Sequence, residues 1–456
     1  MKLFARFSRA ARAFWEGARQ RIGIERLRTT YQDQFRDYGS ATREILQSKS
    51  RYFYNNSPLL SRLCDLFEIY TVGCGLTVYP DSSDEAYNKA SRVVFHEWQR
   101  SPDISSWQTF GMMQGLVANN YFVDGEAFAL KVQLEGKPKL QLIEAHRVAT
   151  PPERKNDEGI TVVDGIERDF STGRPTGYWI YTIGRNNERI WRLEPADKVI
   201  HIFEPSRPNQ YRGVPFAASA LNTLQDVETL ERLEMKAARS NSLTANVLTT
   251  GSGEVDPDDV IRTGGAVTTG TNGSVSAVEE RVGGETIVLK PGEDFKAWNA
   301  NRPSVVTMEY WKQLHERICM GVGIPYVMAI PERTQGTVYR GALDGATAFF
   351  NARSEVMQEF VREVFLWVID SLRTRVESIS NPPPDGSWNR VKIYAPRAPN
   401  VDVGRNSSAM LAELAAGATT YSDVYGPLGQ HWEEQFEEIA KQRKKAKELG
   451  ILQAQP

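Results

Sequence analysis

The sequence predicts an α+β fold, in which a run of strands is followed by a run of helices. Residues 125–203 alternate apolar and polar side chains around turns rich in Gly and Pro, which is typical of antiparallel strands. Residues 40–72, 216–240, 303–323 and 341–375 instead repeat apolar side chains every three or four positions, the period of a helix. With 456 residues and 41% hydrophobic content, the chain can form two or more packed units.

Charge and cysteine content narrow the functional classes. The chain has 55 basic and 57 acidic residues, a net charge of −2, which argues against a protein coated in positive charge that holds nucleic acid tightly. Its three cysteines (Cys64, Cys74 and Cys319) have no CxxC or zinc spacing, so free thiols in a reducing compartment are expected. No apolar run approaches the ~20 residues that span a bilayer. The first residues also lack the long apolar core of a signal peptide.

Residues 1–39 are predicted to form an amphipathic arm. One face of a basic helix there would carry Leu3, Phe4, Phe7, Ala10, Ala11 and Phe14. Two interpretations stay open: the arm packs on a neighbouring subunit, or it binds a membrane surface.

Residues 40–215 are predicted to combine helices with three strand pairs. The helical stretch 84–120 supplies core candidates at Val93, Val94, Phe95, Trp98, Trp107, Phe110 and Met113. Hairpins are expected around Glu135–Pro138 and Ser171–Pro175, and residues 188–205 are expected to form a further strand pair.

Two helices flank a glycine-rich excursion. The apolar stripe of the first helix, 216–240, comprises Leu221, Leu224, Val227, Leu230, Leu233 and Ala237. The stripe of the second helix, 303–323, comprises Met308, Trp311, Leu314 or His315, and Ile318. Gly321 is predicted to stop this second helix. Between them, residues 251–292 hold nine glycines and neither Trp nor Tyr, which predicts a small, projecting β segment poor in core material.

Residues 324–340 are predicted to be a loop. Gly336 and Gly341 have the spacing of a phosphate-binding loop, but Ala342 and Leu343 stand where such a loop needs Lys and Ser/Thr, so no nucleotide site is predicted. A long helix follows over 341–375, about 50 Å in length. Its apolar face comprises Ala346, Phe349, Phe350, Met357, Phe360, Val361, Val364, Val368 and Leu372.

The remaining chain is predicted to form a strand near 389–396 and then a helical tail. The tail ends in "EEQFEEIAKQRKKAKELG", acidic and then basic, which is typical of a solvated helix face.

Chemical motifs are mostly absent from the sequence. The five histidines (His96, His146, His201, His315 and His431) show no paired-ligand spacing, and His201 alternates within a strand, which favours a structural hydrogen bond over catalysis. The acidic run Glu254–Asp259 lacks the spacing of a calcium loop and is interpreted as a solvated turn or the start of a helix. No catalytic residue, metal site, cofactor or small-molecule substrate is predicted, and the chain is not expected to be an enzyme.

Several motifs, in this order, resemble the lambda-like family of portal proteins of tailed bacteriophages. They are "RYFYNN" followed by "VGCGL", "GEAFAL" with "LQLIEAHRV", "GIERDFSTGRPTGYWIY", "HIFEPSRPNQYRGVP", "GGETIVLKPGEDF" and the "GIPY" segment at 323–326. The resemblance covers about residues 40–375. One departure is "TVYRGALDG", where the family more often has Asn-Tyr-Ser-Ser-x-Arg.

The resemblance implies a ring, usually of twelve subunits, at one capsid vertex around a channel for double-stranded DNA. Implied partners are the terminase large subunit, the major capsid protein, and head-completion or tail adaptor proteins. The protein would then reside in the virion, after assembly in the cytoplasm of the host bacterium.

A portal-type fold has a helical and β wing, a two-helix stem, a small β-rich clip, a long wing helix and a helical C-terminal crown. In this sequence the resemblance implies a wing at 40–215, stem helices at 216–240 and 303–323, and a clip at 241–302. It further implies a tunnel loop at 324–340, the long wing helix and strand at 341–404, and the crown at 405–456.

The same resemblance gives candidate site residues. In the tunnel loop, Arg333, Thr334, Gln335 and Arg340 would contact DNA phosphates, and Val327, Met328 and Ile330 would pack the loop. In the clip, acidic residues would face the lumen, dock a partner, or be ordinary surface charges: Glu254, Asp256, Asp258, Asp259, Glu279, Glu280 and Glu285.

Two alternatives from other functional classes remain. A nuclease or other DNA-processing enzyme of the packaging machinery would need clustered carboxylates for metal ions, and no convincing set is visible. A membrane-associated pore or scaffold would depend on the amphipathic arm, and liposome flotation with and without residues 1–29 would detect it.

Overall fold

The computed structural model describes residues 33–249, 285–289, 305–331, 336–396 and 403–449. Most of the predicted N-terminal arm and of the glycine-rich segment lies outside these residues. The helices are α1 Gln34–Asp37, α2 Ser40–Asn56, α3 Pro58–Thr71, α4 Glu85–Trp98, α5 Phe110–Asp124, α6 Leu221–Leu243, α7 Val305–Val322, α8 Tyr326–Ala329, α9 Gly336–Leu372, α10 Val403–Ala415, α11 Tyr421–Tyr425 and α12 Trp432–Glu448. The strands are β1 Thr77–Pro80, β2 Glu126–Leu134, β3 Lys137–Ile143, β4 Val162–Val163, β5 Ile166–Arg168, β6 Pro175–Ile183, β7 Arg189–Pro195, β8 Val199–Phe203, β9 Thr244–Thr249, β10 Glu285–Leu289 and β11 Val391–Tyr394.

The chain divides into two compact units, and the α+β prediction is confirmed. The smaller unit combines residues up to Ile45 with His146–Ala196 and Pro205–Gly213. The larger unit contains Leu46–Ala145, Asp197–Glu204 and the chain from Val214 onward.

The smaller unit is built on a four-stranded antiparallel sheet in the order β4-β5-β6-β7. The predicted hairpin at Ser171–Pro175 joins β5 to β6, and the Asp169 carboxylate organises it. That carboxylate accepts hydrogen bonds from the backbone N–H and the hydroxyl of both Ser171 and Thr172. These bonds favour the charged form and lower the pKa of Asp169 to about 2.

The larger unit contains a three-stranded antiparallel sheet in the order β3-β2-β8. The predicted β2–β3 hairpin is confirmed, and its two turn residues, Glu135 and Gly136, both have positive φ (52° and 74°). Such backbone angles match the right-handed twist of the flanking strands.

The strand pair predicted for residues 188–205 is wrong in its pairing. Both strands exist, but β7 pairs with β6 and β8 pairs with β2. A short 3-10 helix, Ala196–Lys198, separates them, so their partners come from other parts of the chain. Alternation predicts that a segment is a strand, but it does not identify the neighbouring strand.

Helix α9 supplies much of the apolar core of the larger unit. Its 37 residues extend about 55 Å and begin at Gly336, five residues earlier than predicted. The predicted apolar face is confirmed, because Ala346, Phe350, Met357, Phe360, Val361, Val364 and Val368 are buried and Phe349 and Leu372 pack against the core. Aromatic side chains of α4 and α5 meet this face, with Phe95 and Phe365 centroids 5.0 Å apart.

Two predicted core residues are exposed. The stretch 84–120 forms two helices, and the buried side of α4 carries Tyr87, Ser91 and Phe95, which leaves Val93 49% exposed on the other side. Trp107, in the connection between the helices, is 87% exposed. Its backbone N–H and the hydroxyl of Ser105 are both held by the Asp103 carboxylate in a local turn.

The C-terminal helices contact the beginning of the larger unit. Strand β1 pairs antiparallel with β11, and the Tyr79 ring lies 4.3 Å from the His431 ring. The Tyr79 hydroxyl donates to the Gln430 carbonyl, and Arg92 pairs with the carboxylates of Glu433 and Glu434. The first turn of α12 is thereby attached to α4, and the two residues that precede α12 are attached to β1.

Within the described parts of the chain, no helix is both long and apolar enough to cross a membrane. The three cysteines are free thiols, with Cys64 and Cys319 buried and Cys74 exposed. Burial raises the pKa of Cys319 to about 12, so this thiol stays protonated at neutral pH.

Candidate functional site

Helices α6 and α7 pack against each other at one end. In α6, Leu221, Leu224 and Val227 are buried, as the predicted stripe requires. In α7, Leu314 and Ile318 are buried. His315 is half-buried, and this burial lowers its pKa. The alternative left open between Leu314 and His315 is therefore decided in favour of Leu314.

The other ends of the same helices expose apolar side chains. Six of them are more than half exposed in the described chain: Leu233 and Met235 in α6, and Val305, Val306, Met308 and Tyr310 in α7. Leu233 and Met308 belong to the predicted stripes but are not buried within this chain. In each helix, other described residues of the chain therefore cover one part of the apolar stripe and leave the other part exposed.

Helix α7 does not stop at Gly321, as predicted, but continues to Val322. Gly321 is still helical, and Gly323 instead adopts the left-handed conformation (φ +93°) that commonly ends a helix. The backbone N–H groups of Gly323 and Ile324 both donate to the Cys319 carbonyl. This arrangement satisfies an acceptor that the helix end would otherwise leave open.

Between α6 and α7, strands β9 and β10 pair in parallel, with Thr249 opposite Leu289. Glu285 is the first residue of β10. The other acidic candidates (Glu254, Asp256, Asp258, Asp259, Glu279 and Glu280) lie outside the described residues, and their prediction is untested.

The segment predicted to be a tunnel loop contains the short helix α8 and the start of α9. Met328 is buried, Ile330 packs against the apolar core and Val327 is half-buried. Arg340 lies in the first turns of α9 rather than in a loop, with its side chain exposed and its Nε 3.4 Å from the Gly336 carbonyl oxygen. The other three phosphate-contact candidates, Arg333, Thr334 and Gln335, lie outside the described residues.

Sequence reasoning missed a buried charged cluster in the smaller unit. Arg43 donates to both carboxylate oxygens of Asp164, at 2.5 and 3.0 Å, and both side chains are almost fully buried. Arg212, 2% exposed, lies 3.6 Å from the same carboxylate and donates to the backbone carbonyls of Val148 and Asp164. The only sequence signal was the position of Arg212 in the Arg-Gly-x-Pro motif.

The larger unit has its own buried polar group around Glu126. His201 lies 3.1 Å from one Glu126 oxygen, and Gln47 donates to the other. The imidazole is stacked between Phe128 and Phe203, with centroid distances of 4.2 and 4.3 Å. This environment agrees with the structural role expected for His201.

A third buried carboxylate, Asp124, faces Arg51 of the "RYFYNN" motif at 2.6–2.7 Å. Burial raises the pKa of Asp124, and the hydrogen bonds and charge of Arg51 oppose that rise. Arg51 therefore offsets the free-energy cost of burying the Asp124 charge, so its role is structural.

Across the described ranges, no group of three or more His, Cys, Asp or Glu side chains is arranged to hold a metal ion.

Comparison with known proteins gives consistent results. A relative described as a probable portal protein, from Halomonas phage phiHAP-1, is 25% identical over 433 residues, which are 90% of this chain and 82% of that protein. Among solved structures, a chain in the neck of an empty gene transfer agent particle computed with C6 symmetry has a TM-score of 0.50 at 17% identity. The match covers 84% of this chain and 93% of that chain, and it shows the fold alone. A chain from the virion of the native particle has a TM-score of 0.48 at 15% identity and the same coverage.

The family assignment rests on a direct match to a family model. The model of the phage portal protein, lambda family, matches residues 28–339, which is more than half of the chain. The mixed helix and sheet fold agrees with this match, and so does the phage relative. The chain belongs to the lambda family of phage portal proteins.

Proposed function

We propose that twelve copies of this chain form a closed ring at one vertex of a phage-type capsid, around a channel for double-stranded DNA. The observation that carries the proposal is the pair α6 and α7, whose apolar stripes extend beyond the residues of the same chain that cover them. In a ring, equivalent helices of neighbouring subunits bury these side chains.

The energetics favour association through these helices. Burying one large aliphatic side chain contributes ~1.5–3 kcal/mol, and six exposed apolar side chains are available on each subunit. A head-to-tail contact of this kind repeats around an axis until the ring closes. The number twelve rests on the family resemblance.

From the family resemblance we assign the portal regions as follows. Helices α6 and α7 are the stem, residues 241–302 with β9 and β10 are the clip, and residues 324–340 form the tunnel segment. Residues 40–215 and residues 341–404, which contain most of the long helix α9, form the wing. Helices α10 to α12 belong to the crown.

DNA contact in this proposal is sparse and repeated by symmetry. Arg340 is exposed in the first turns of α9, and Arg333, Thr334 and Gln335 precede it in sequence. Duplex DNA carries one charge per ~1.7 Å, so two arginines from every subunit give a ring of weak phosphate contacts along which DNA can move. The acidic clip residues, placed towards the lumen, discourage adhesion.

The proposed partners are the terminase large subunit during packaging, the major capsid protein around the ring, and head-completion or tail adaptor proteins afterwards. Two comparisons support this location: the phage relative is described as a probable portal protein, and the solved chain belongs to a particle neck. The ring is assembled in the host cytoplasm and remains in the virion.

Electron microscopy and native mass measurement of the purified protein test the ring. Twelve subunits of 51.3 kDa give about 616 kDa and images with a central opening. Leu233→Glu and Met308→Glu should block assembly but leave the subunit folded, whereas Val93→Glu, the same change on another exposed apolar residue, should not. A wild-type protein that stays monomeric even with capsid components present would refute the proposal.

Packaging assays test the DNA contact. The double variant Arg333→Ala and Arg340→Ala should form normal rings but reduce the DNA content of particles. Arg192→Ala, which removes an exposed arginine from β7, is the matched control. Fully packed heads from the double variant would remove these two residues from the mechanism.

A further inference from the structure

The larger unit has an apolar groove beside the packed ends of α6 and α7. The groove has a volume of about 410 Å³ and lies between the end of α2, the start of α3, and helices α6, α7 and α8. Its apolar lining includes Phe53, Leu59, Leu224, Val227 and Ile318. A groove of this size can receive one or a few side chains of a partner rather than a folded domain.

Two exposed methionines extend the groove along the helices. On α6, Met235 lies one turn beyond the lining residue Glu231, and on α7, Met308 lies two turns before the lining residue His315. Residues at these spacings share one side of a helix, so both methionines continue the side on which the groove lies. Because they are 57% and 56% exposed, this side remains open beyond the groove itself.

Helix α7 exposes two further apolar side chains on its opposite side. Met320 lies two residues from Ile318, and Val306 lies two residues from Met308. Two residues correspond to about 200° around a helix but to only about 3 Å along its axis. Met320 is 79% exposed and Val306 is 74% exposed. One side of α7 therefore presents Met320 at the level of the groove and Val306 at the level of Met308.

Charged side chains flank both features. Arg62 and Glu231 line the groove, together with Glu228, which already has partners on α2 and α6. On the opposite side of α7, Glu316 and Arg317 lie one turn before the exposed methionine. Each side therefore offers an acidic and a basic group, so opposite charges can pair when the two sides meet. Such pairs at the rim of a contact set its register more than its affinity.

We propose that Met320 of one subunit inserts into the groove of the next subunit of the ring. The inference rests on the proposed ring and adds which sides of the stem helices meet. Copies related by rotation about an axis along these helices stay at one height. A protruding side chain and a groove at nearly the same level, on opposite sides of α7, therefore give a contact that repeats until the ring closes. Methionine is unbranched and flexible, which suits a groove of irregular shape.

Cysteine crosslinking in the full-length protein tests the contact. Asn56→Cys, at the groove, is combined with Met320→Cys in a Cys74→Ser background, in which the two remaining native thiols are buried. A short bis-maleimide linker should join neighbouring subunits of assembled rings and give a ladder of covalent oligomers on a denaturing gel. Neither single variant should give this ladder, and neither should Met320→Cys combined with a cysteine at the exposed Glu359.

Substitution of Met320 provides a second readout. Met320→Lys should raise the protein concentration needed for ring formation by about tenfold or more, because the apolar groove would have to receive a charge. Analytical ultracentrifugation measures this concentration, and Met320→Leu should leave it nearly unchanged. Met112→Lys, the same change at a methionine of α5 that is 58% exposed, is the control and should assemble like the wild-type protein. Circular dichroism confirms that each variant is folded.

Failure of this contact is distinguishable from failure of the ring. Rings that form without the ladder from positions 56 and 320, or that tolerate Met320→Lys as well as Met112→Lys, would overturn the contact and leave the ring in place. A wild-type protein that forms no ring, even with capsid components present, would refute the proposed function and this inference together.

Discussion

At the scale of single residues, the structure places several charged groups in buried positions. Arg43 and Arg212 converge on the Asp164 carboxylate in the smaller unit, and Arg51 faces Asp124 in the larger one. Removing one member of a buried pair typically costs 3–5 kcal/mol, roughly, because the remaining charge has lost its counterion. We therefore assign these residues a role in stabilising the fold and none in binding a substrate.

Asp164→Asn tests this interpretation. Asn keeps the shape and tolerates the positive φ of 46°, but it leaves two buried guanidinium groups facing a neutral amide. We expect a loss of about 3–5 kcal/mol in the free energy of unfolding, measured by chemical denaturation. Asp197→Asn, an exposed carboxylate, is the control. A change below about 1 kcal/mol for Asp164→Asn would contradict the proposed role of the cluster.

His431 gives the protein a pH-dependent attachment of α12. Burial, together with the charges of Arg92 and His96, lowers the pKa of His431 to about 4, and Arg92 lies 3.3 Å from its Nδ1. The unfolded chain binds a proton near pH 6.5, whereas the folded chain does so only near pH 4. The contribution of His431 is therefore fully present above pH 6.5 and is lost as the pH falls towards 4.

Hydrogen exchange measures this effect. Protection of the α12 amides, corrected for intrinsic exchange rates, should fall between pH 6.5 and 4.5 in the wild-type protein. His431→Phe keeps an aromatic ring beside Tyr79 and should show a flatter pH profile. Identical profiles for the two proteins would exclude His431 as the titrating group.

At the scale of secondary-structure elements, periodicity predicted the helices well and the strand partners poorly. The apolar face of α9 was correct because a long helix buried along one side repeats its apolar positions many times. The partners of β7 and β8 could not be predicted, since alternation is a local property and pairing is decided by distant segments. Trp107 was misplaced for a related reason: the Asp103 turn that directs it outward depends on hydrogen bonds rather than on hydrophobicity.

Helix α6 offers a direct test of where the chain's own core ends. Leu224→Ala should cost about 2–5 kcal/mol in the stability of the unassembled subunit, because Leu224 is 3% exposed. Leu233→Ala, on the same stripe but 56% exposed, should stay within about 0.5 kcal/mol.

The same two variants should behave differently in assembly. Leu233→Ala should raise the protein concentration needed to form rings, which analytical ultracentrifugation measures. Equal losses of subunit stability for both variants would show that Leu233 is covered within its own chain.

The candidate site was less predictable than the fold. Sequence reasoning found the two helices and the segment that follows them, but the family resemblance assigned Arg340 to a loop, whereas the residue lies in α9. The buried clusters around Asp164 and Glu126 were missed, since a charged residue in a sequence gives no sign of the counterion that will bury it. Arg212, Glu126 and His201 lie within the family motifs, whereas Arg43 and Asp164 lie in none of them.

At the scale of the whole molecule, the net charge bears on how the proposed ring would meet DNA. A subunit carries a net charge of −2, so the proposed ring of twelve would carry about −24 and would repel the duplex outside its channel. We expect purified rings to retain no linear duplex DNA in filter-binding assays at ~0.15 M salt. Tight binding would contradict the proposed weak contacts if its affinity fell with rising salt concentration as steeply as expected for about ten neutralised phosphates.

The pairing of β1 with β11 has a consequence for biosynthesis. Thr77 meets Tyr394, and the Tyr79 hydroxyl reaches Gln430, which is 351 residues later in the chain. A nascent polypeptide emerging from the ribosome cannot complete the larger unit until nearly all of it has been translated, because loop closure over such a separation must wait for the distant strand. Prematurely terminated translation products therefore leave β1 without its partner strand. We expect such products to be bound by chaperones or degraded by proteases before they can enter an oligomer, in which one defective subunit would impair the whole assembly.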